Sequence, residues 1–241
     1  MKLFVAILCM VFSLQAKDKV HFITEVFPPY QITDDEKLTG GISVEIVREL
    51  QKNLGESSQI KFYPWARGYK LAKNKKNYAL FSTLRTKERE KQFKWVGPIA
   101  TMKLVFFKRA DSTLELKTFE DAKNVRKIGV TYNVGNYEIL KDKGFKNLDI
   151  LKSGTDEVNI KKLVRGRIDL WPALMEAGVY NAKTMGYAGK IVPIKDIVIF
   201  QGDLYIAFCK KTDDAIIRKW QKALDTIKTN GVYERIIANY R

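Results

Sequence analysis

Residues 81–98 read FSTLRTKEREKQFKWVGP, and the interpretation of the whole chain begins with this stretch. An apolar run at residues 78–82 predicts a strand that leads into it, and residues 93–96 predict a strand end that stops at a Gly-Pro pair. Between them the chain becomes polar, and Thr86 begins a short helix as an N-cap whose hydroxyl satisfies a free backbone N–H group. The stretch therefore predicts two strands joined by a helical turn at the edge of a sheet.

Arg89 follows Thr86 by one helical turn and is expected at the mouth of this sheet. A guanidinium in such a position can hold a carboxylate with two parallel hydrogen bonds. We therefore expect Arg89 to bind the anionic end of a ligand, with Thr86 and Ser82 in the same site. If Arg89 is not the anchor, Arg67 or Arg85 is the next candidate.

The pattern Thr-x-x-Arg, followed by an aromatic residue and a proline, occurs at Thr86, Arg89, Trp95 and Pro98. It resembles the bacterial extracellular solute-binding proteins of family 3, which serve polar amino-acid importers. In that family the arginine that corresponds to Arg89 binds the carboxylate of the ligand. The resemblance implies a protein that binds a small molecule for transport.

Two further segments carry the same resemblance. Gly-Arg-Ile-Asp at residues 166–169 overlaps a predicted strand at residues 167–171, and Asn-Gly-Val-Tyr at residues 230–233 precedes a final predicted helix. Both segments are similar to segments at the corresponding places of the family. The resemblance covers the chain from about residue 20 to residue 240.

Strands alternate with helical segments along the chain, which predicts an α/β fold with mostly parallel sheets. The resemblance implies a two-lobed periplasmic-binding-protein-like fold of type II, with mixed sheets flanked by helices. Lobe 1 is expected to comprise residues 17–104 and 203–241, and lobe 2 residues 105–202. Two strands, at residues 103–107 and 204–208, are expected to cross between the lobes as a hinge.

Aromatic residues follow the first two predicted strands. Phe27 and Tyr30 come after the first strand, and Trp65 comes after the second, together with Arg67. Because ligands gather at the carboxyl ends of strands in α/β sheets, we expect the three rings to wall the pocket and Arg67 to supply a second cation. The alternative is that the rings pack in the core and that Arg67 is solvated. The family places an aromatic residue that stacks on the ligand at the first of these turns.

A loop in the predicted second lobe follows the strand at residues 127–130 and leads into a helix. Backbone N–H groups at the start of a helix can bind an anion. The resemblance implies that Val134, Gly135 and Asn136 donate N–H groups to the ligand carboxylate when the lobes close.

Two positions depart from the pattern of the family. Four residues after Asp169, where the family has a pocket-facing aspartate that pairs with the ammonium group of the ligand, this chain has Ala173. Two residues before Thr86, where amino-acid binders have a hydroxyl residue, it has Leu84. A buried ammonium group without a counter-charge is costly. Either Glu176 replaces the missing aspartate, or the ligand is not an α-amino acid.

Residues 1–16 have the layout of a secretory signal peptide, with one Lys, an apolar run and small or polar residues that end at Ala16. Removal of this peptide leaves Cys209 as a single cysteine, so we expect no internal disulfide and a location in a bacterial periplasm. The chain has 241 residues and 46% hydrophobic residues, which is enough for a packed core of two small domains.

The chain offers few residues for other kinds of chemistry. Its formal net charge is +16, but the lysines are spread over the whole length and no nucleic-acid motif occurs, so we expect no nucleic-acid partner. His21 is the single histidine, and no metal-binding cluster, nucleophile motif or cofactor fingerprint is found. We expect neither a metal nor a cofactor.

Three functions fit these observations. The first is a monomeric periplasmic binding protein that delivers a small anionic ligand to an inner-membrane ABC permease. The second is a sensory protein of the same fold that signals to a receptor. The third, which we rank last, is an enzyme related to dehydratases of cyclic aromatic precursors, with Glu25 or Glu176 as its acid.

Overall fold

The computed structural model of the protein describes residues 19–34, 37–132, 135–153 and 155–240. The expected signal peptide at residues 1–16 and the loop residue Val134 lie outside these ranges. Within them, none of the helices combines the length and the apolar character that a bilayer span requires.

Strands and helices alternate along the described part of the chain, as the sequence predicts. The strands are β1 His21–Thr24, β2 Ile32–Asp34, β3 Lys37–Gly40, β4 Lys61–Phe62, β5 Tyr78–Leu84, β6 Phe93–Arg109, β7 Ile128–Thr131, β8 Leu148–Leu151, β9 Trp171–Leu174 and β10 Ile191–Cys209. The α-helices are α1 Ile42–Asn53, α2 Trp65–Asn74, α3 Lys87–Glu90, α4 Gly135–Asp142, α5 Asp156–Val164, α6 Met175–Thr184, α7 Asp214–Thr229 and α8 Val232–Ala238, and a 3-10 helix spans Glu120–Asn124.

A mixed sheet with the order β4-β1-β5-β10-β6-β9 runs through the molecule. Its strand β1 pairs in parallel with both β4 and β5, whereas β10 is antiparallel to β5 and β6. Strands β7 and β8 form a separate parallel pair that a bridge between Ile128 and Leu170 connects to the segment before β9. The architecture is a two-lobed fold with mixed sheets flanked by helices.

The two long strands β6 and β10 connect the lobes. They have 17 and 19 residues and pair from Phe93 opposite Cys209 at one end to Arg109 opposite Ile191 at the other. The sequence predicts that a strand stops at Gly97 and Pro98, but β6 continues through both residues. The N–H group of Gly97 leaves the ladder and donates to the side chain of Gln221 at 3.0 Å, so an irregularity here accommodates the proline.

Hydrophobic residues form separate clusters in the two lobes. In the first lobe, one large cluster surrounds Trp220 and Leu50, and a smaller cluster surrounds Leu80 and Phe93. Further along the hinge strands, Phe107 packs in a cluster with Trp171. The neighbouring residue Phe106 points to the opposite face of the sheet, where it packs in another cluster.

Three local predictions are wrong. The predicted strand at residues 167–171 is a loop up to Leu170, because the Asp169 carboxylate accepts the Lys127 N–H at 3.0 Å and an Arg126 N–H at 3.1 Å. The strand end expected at Gly97 and Pro98 is absent from β6, as described above. Thr86 occupies an N-cap position, but its side chain does not make the expected capping hydrogen bond. The hydroxyl of Thr86 bonds to the side chain of Glu88 instead, which lowers the pKa of that carboxyl.

Candidate functional site

Three loops of the first lobe meet at one edge of the sheet. Because β4, β1 and β5 run in parallel, their carboxyl ends lie side by side. Phe27 follows β1, Trp65 opens the helix after β4, and Arg89 lies in the helix after β5. The sequence places these three residue types at strand ends, and the register of the sheet brings them to the same edge.

Arg89 is held by aromatic rings and by one carbonyl. Its guanidinium carbon lies 5.0 Å from the centre of the Trp65 ring and 5.7 Å from that of Tyr69. Nη1 donates to the carbonyl oxygen of Leu84 at 3.1 Å. In the part of the chain that the structure describes, Arg89 makes no ion pair with a carboxylate. The half-buried guanidinium therefore keeps N–H donors for another group.

The neighbouring arginines have different surroundings. Arg85 donates from Nε and Nη2 to the two carboxylate oxygens of Glu90, both at 2.6 Å, which raises the pKa of Arg85 and lowers the pKa of Glu90. Arg67 is exposed, and its guanidinium lies 4.3 Å from the Tyr63 ring centre. Because Glu90 already binds the guanidinium of Arg85, Arg89 is the better candidate to bind the anionic group of a ligand.

The aromatic turn after β1 divides its two rings between the core and the cleft. Tyr30 is 1% exposed and packs against Phe27, with ring centres 5.1 Å apart and ring planes tilted by 33°. The Tyr30 hydroxyl donates to Oε2 of Glu176 at 3.1 Å. Burial and this carboxylate both raise the pKa of Tyr30, so the phenol stays protonated and remains a donor. Phe27, not Tyr30, is the ring of this turn that lines the cavity described below.

The hydroxyls of Ser82 and Thr86 interact with other side chains of the protein in this structure. Ser82 is buried, and its hydroxyl accepts a short hydrogen bond from the side-chain amide of Gln31, next to Tyr30. Its φ of 56° is in the left-handed region, which is uncommon for a serine inside a strand. Thr86 bonds to Glu88, as described above.

A cavity of about 490 Å³ lies between the loops at the strand ends of the first lobe and those of the second lobe, and it is called the interlobe cavity. Phe27 and Pro28 line it from the first lobe, and Gly135 and Asn136 line it from the second. Asn136 is fixed by a 2.8 Å hydrogen bond from Nδ2 to the carbonyl oxygen of Pro172. Ala173, at the position where the family has an aspartate, is nearly buried and also lines this cavity.

Among the described lining residues of this cavity, Asp156 is the ionisable one, and sequence reasoning missed it. It is the first residue of α5, and α5 follows β8, which is parallel to β7. Its side chain therefore lies at the same edge of the second-lobe sheet as Asn136, and both residues line the interlobe cavity. The strand-end rule that selected Phe27 also applies to the loop after β8 and would have selected Asp156. Glu176, the expected acid, lies in a separate cavity of about 230 Å³ with Tyr30.

Comparison with known proteins gives consistent results. Residues 20–241 match the family model of the bacterial extracellular solute-binding proteins, family 3. A relative from Neisseria gonorrhoeae named "Probable histidine-binding protein" is 21% identical over 216 residues, which are 89% of this chain and 79% of the relative.

Solved structures show the same fold. An ancestral cationic amino acid solute-binding protein has a TM-score of 0.77 at 18% identity and covers 92% of this chain and 94% of its own. Substrate-binding domain 2 of GlnP from Lactococcus lactis, in its open conformation, has a TM-score of 0.73 at 18% identity and covers 93% and 96%. The chain described here belongs to the bacterial extracellular solute-binding proteins, family 3.

Proposed function

We propose that this protein is a periplasmic solute-binding protein that closes two lobes around a small amino-acid-like ligand and delivers it to an inner-membrane ABC permease. Arg89 binds the carboxylate of the ligand. The observation that carries this proposal is the state of Arg89, a half-buried guanidinium that Trp65, Tyr69 and the Leu84 carbonyl hold in place. Such a fixed guanidinium loses little rotamer freedom when it binds a carboxylate.

The lobe boundaries belong to the same proposal. Lobe 1 comprises residues 17–104 and 203–241, and lobe 2 comprises residues 105–202. The separation of the hydrophobic clusters supports this division, because none of their buried residues is shared between the two sides. Rotation of one lobe about β6 and β10 then closes the interlobe cavity, with Gly135 and Asn136 moving toward the Arg89 side.

The family supports transport as the role of this binding. Its members are solute-binding proteins, and the Neisseria gonorrhoeae relative is named for histidine. An amino-acid-like ligand has the carboxylate that Arg89 requires. A ligand carried to a permease must also be released, which a cleft between two hinged lobes permits.

A melting-temperature screen of residues 17–241 with the twenty amino acids and small carboxylates tests the proposal. A ligand present at about a hundredfold excess over its Kd stabilises the folded protein by about 2.7 kcal/mol. For a protein of this size, that raises the melting temperature by about 5–10 °C.

Arg89→Ala is the decisive variant, and Arg218→Ala is its matched control because Arg218 is exposed on α7, away from the loops at the strand ends. Loss of a charge-assisted hydrogen-bonded pair costs about 1.5–3 kcal/mol, so we expect the Kd to rise about 10- to 150-fold in Arg89→Ala. The control should bind like the unmodified protein. If Arg89→Ala keeps its affinity while folded, Arg89 is not the carboxylate anchor.

A further inference from the structure

The interlobe cavity has one ionisable side chain among its described lining residues, Asp156. The rest of the described lining is apolar, apart from backbone and the amides of Asn136 and Asn181. The rings of Phe27 and Phe200 belong to the apolar part. The electrostatic character of this cavity is therefore negative, although the chain as a whole carries a formal net charge of +16.

Among the residues that the structure describes, Asp156 has no cationic partner within ion-pair distance. The described ion pairs of this region join Lys162 to Asp149 at 3.2 Å and Arg126 to Asp169 at 3.1 Å, and none includes Asp156. Burial raises the pKa of Asp156, and a weaker interaction with the Trp171 indole opposes this shift. A partly buried carboxylate without a counter-charge costs free energy, and a cation that enters the cavity recovers part of that cost.

Glu176 is a poorer partner for a ligand cation. Its carboxylate already accepts the hydrogen bond from the Tyr30 hydroxyl at 3.1 Å. It lines the smaller cavity beside Ala100 and Tyr233, and it does not line the interlobe cavity in the described structure. Of the two acids, only Asp156 shares a cavity with Phe27 and Asn136.

We propose that Asp156 binds a protonated nitrogen of the ligand, an ammonium, guanidinium or imidazolium group, while the apolar body of the ligand packs on Phe27 and Phe200. This inference rests on the proposed function and specifies the ligand class of the same cleft. Arg89 does not line the interlobe cavity in the described structure, but it lies at the first-lobe sheet edge that also carries Phe27, so closure of the lobes brings one cationic and one anionic group to the same cleft. Such a pair suits a ligand that carries both charges. Asp156 is the first residue of α5. The carboxylate that the family has at the position of Ala173 is thus supplied here by a different element of the same lobe.

Probes that differ in a single nitrogen test the proposal. The pairs are L-arginine with L-citrulline, and L-histidine and L-phenylalanine each with its carboxylate that lacks the amine; putrescine and agmatine serve as amines without a carboxylate. Titration calorimetry of the unmodified protein should show binding of at least one probe and at least tenfold weaker binding of the partner that lacks its protonated nitrogen.

Asp156→Asn should raise the Kd for the bound probe at least tenfold and leave the Kd for the partner that lacks the protonated nitrogen within twofold. Asp196→Asn removes the same charge from an exposed site outside the cavity and is the matched control. Asp156→Glu keeps the carboxylate and should retain more affinity than Asp156→Asn. The melting temperature of each ligand-free variant establishes that the variant is folded. If Asp156→Asn does not fold, the comparison of Asp156→Glu with the unmodified protein still tests the role of the carboxylate.

Two results overturn the inference in different ways. If the partners that lack the protonated nitrogen bind as well as the probes that carry it, or if Glu176→Gln and not Asp156→Asn abolishes the preference, solute binding stands and the role of Asp156 is refuted. If no probe and no small carboxylate binds the unmodified protein, the proposed function itself fails, and the role of Asp156 fails with it.

Discussion

The hydrogen bond between Tyr30 and Glu176 allows a quantitative test of how the two lobes are coupled. It joins the turn after β1 to the first turn of α6 over 3.1 Å, between residues 146 positions apart in the chain. Tyr30→Phe removes only the hydroxyl, because the ring keeps its contact with Phe27 at 5.1 Å between centres. The variant therefore isolates the contribution of this bond.

The expected magnitude follows from the surroundings of the two groups. A hydrogen bond to a charged acceptor contributes about 1.5–3 kcal/mol, and the partial exposure of Glu176 reduces this to about 1–2 kcal/mol. For a protein of this size, the loss lowers the melting temperature by about 2–8 °C. Glu176→Ala leaves the buried Tyr30 hydroxyl without an acceptor and should be at least as destabilising.

The assay is a double-mutant cycle of Tyr30→Phe and Glu176→Ala by urea unfolding at pH 7. We expect the two effects to be non-additive by about 1 kcal/mol or more, because both variants remove the same bond. A coupling free energy below about 0.3 kcal/mol would refute the reasoning, since additivity of that quality is found for residues that do not interact.

Two further predictions concern packing and pH. Gly178→Ala should destabilise the protein by about 1–3 kcal/mol in urea unfolding, because the added Cβ would lie 2.4 Å from Cζ of Phe107, whereas Gly135→Ala, with nothing within 4 Å, should change stability far less. Burial raises the pKa of Asp156, so this carboxyl binds its proton more tightly in the folded ligand-free protein than in the unfolded chain. The free energy of unfolding should therefore fall as the pH rises from the ordinary pKa of an aspartate through the raised pKa of Asp156. Across the same window the affinity for a bound nitrogen-bearing probe should increase, and a pH series with Asp156→Asn should lack both trends; equal trends in the variant would exclude Asp156 as their source.

Local sequence signals predicted the elements better than their connections. The predicted strand at residues 78–82 is β5 at Tyr78–Leu84, and the predicted strand at residues 127–130 is β7 at Ile128–Thr131, because apolar periodicity and turn residues are local properties. The continuation of β6 through Gly97 and Pro98 was not predictable in this way. Here β6 pairs with β10 on both sides of the two residues, and the Tyr205 ring packs so closely on Gly97 that an added Cβ would lie 2.4 Å from Cδ1 of that ring. Both contacts come from a distant part of the chain.

The candidate site was predicted where a residue type and a strand end coincide. Phe27, Trp65 and Arg89 meet this condition and lie at one edge of the sheet. Tyr30 meets it too but turns into the core, because its hydroxyl finds an acceptor in Glu176 that no local pattern indicates. Asp156 also follows a strand, but acidic residues are common in the first turn of a helix, and this position alone does not indicate a site. The parallel pairing of β7 and β8 places Asp156 in the same cavity as Asn136.

The position of β10 in the sheet has a consequence for the order in which the molecule can assemble. Its last residues, Leu204 to Cys209, fill the gap between β5 and β6, although β5 and the facing residues of β6 precede them by more than a hundred residues. A growing chain that already contains β1 to β9 therefore still lacks a central strand of its main sheet. Strands β5 and β6 cannot satisfy their facing backbone groups until β10 emerges, so a truncation within β10 opens the sheet in its middle instead of shortening its edge.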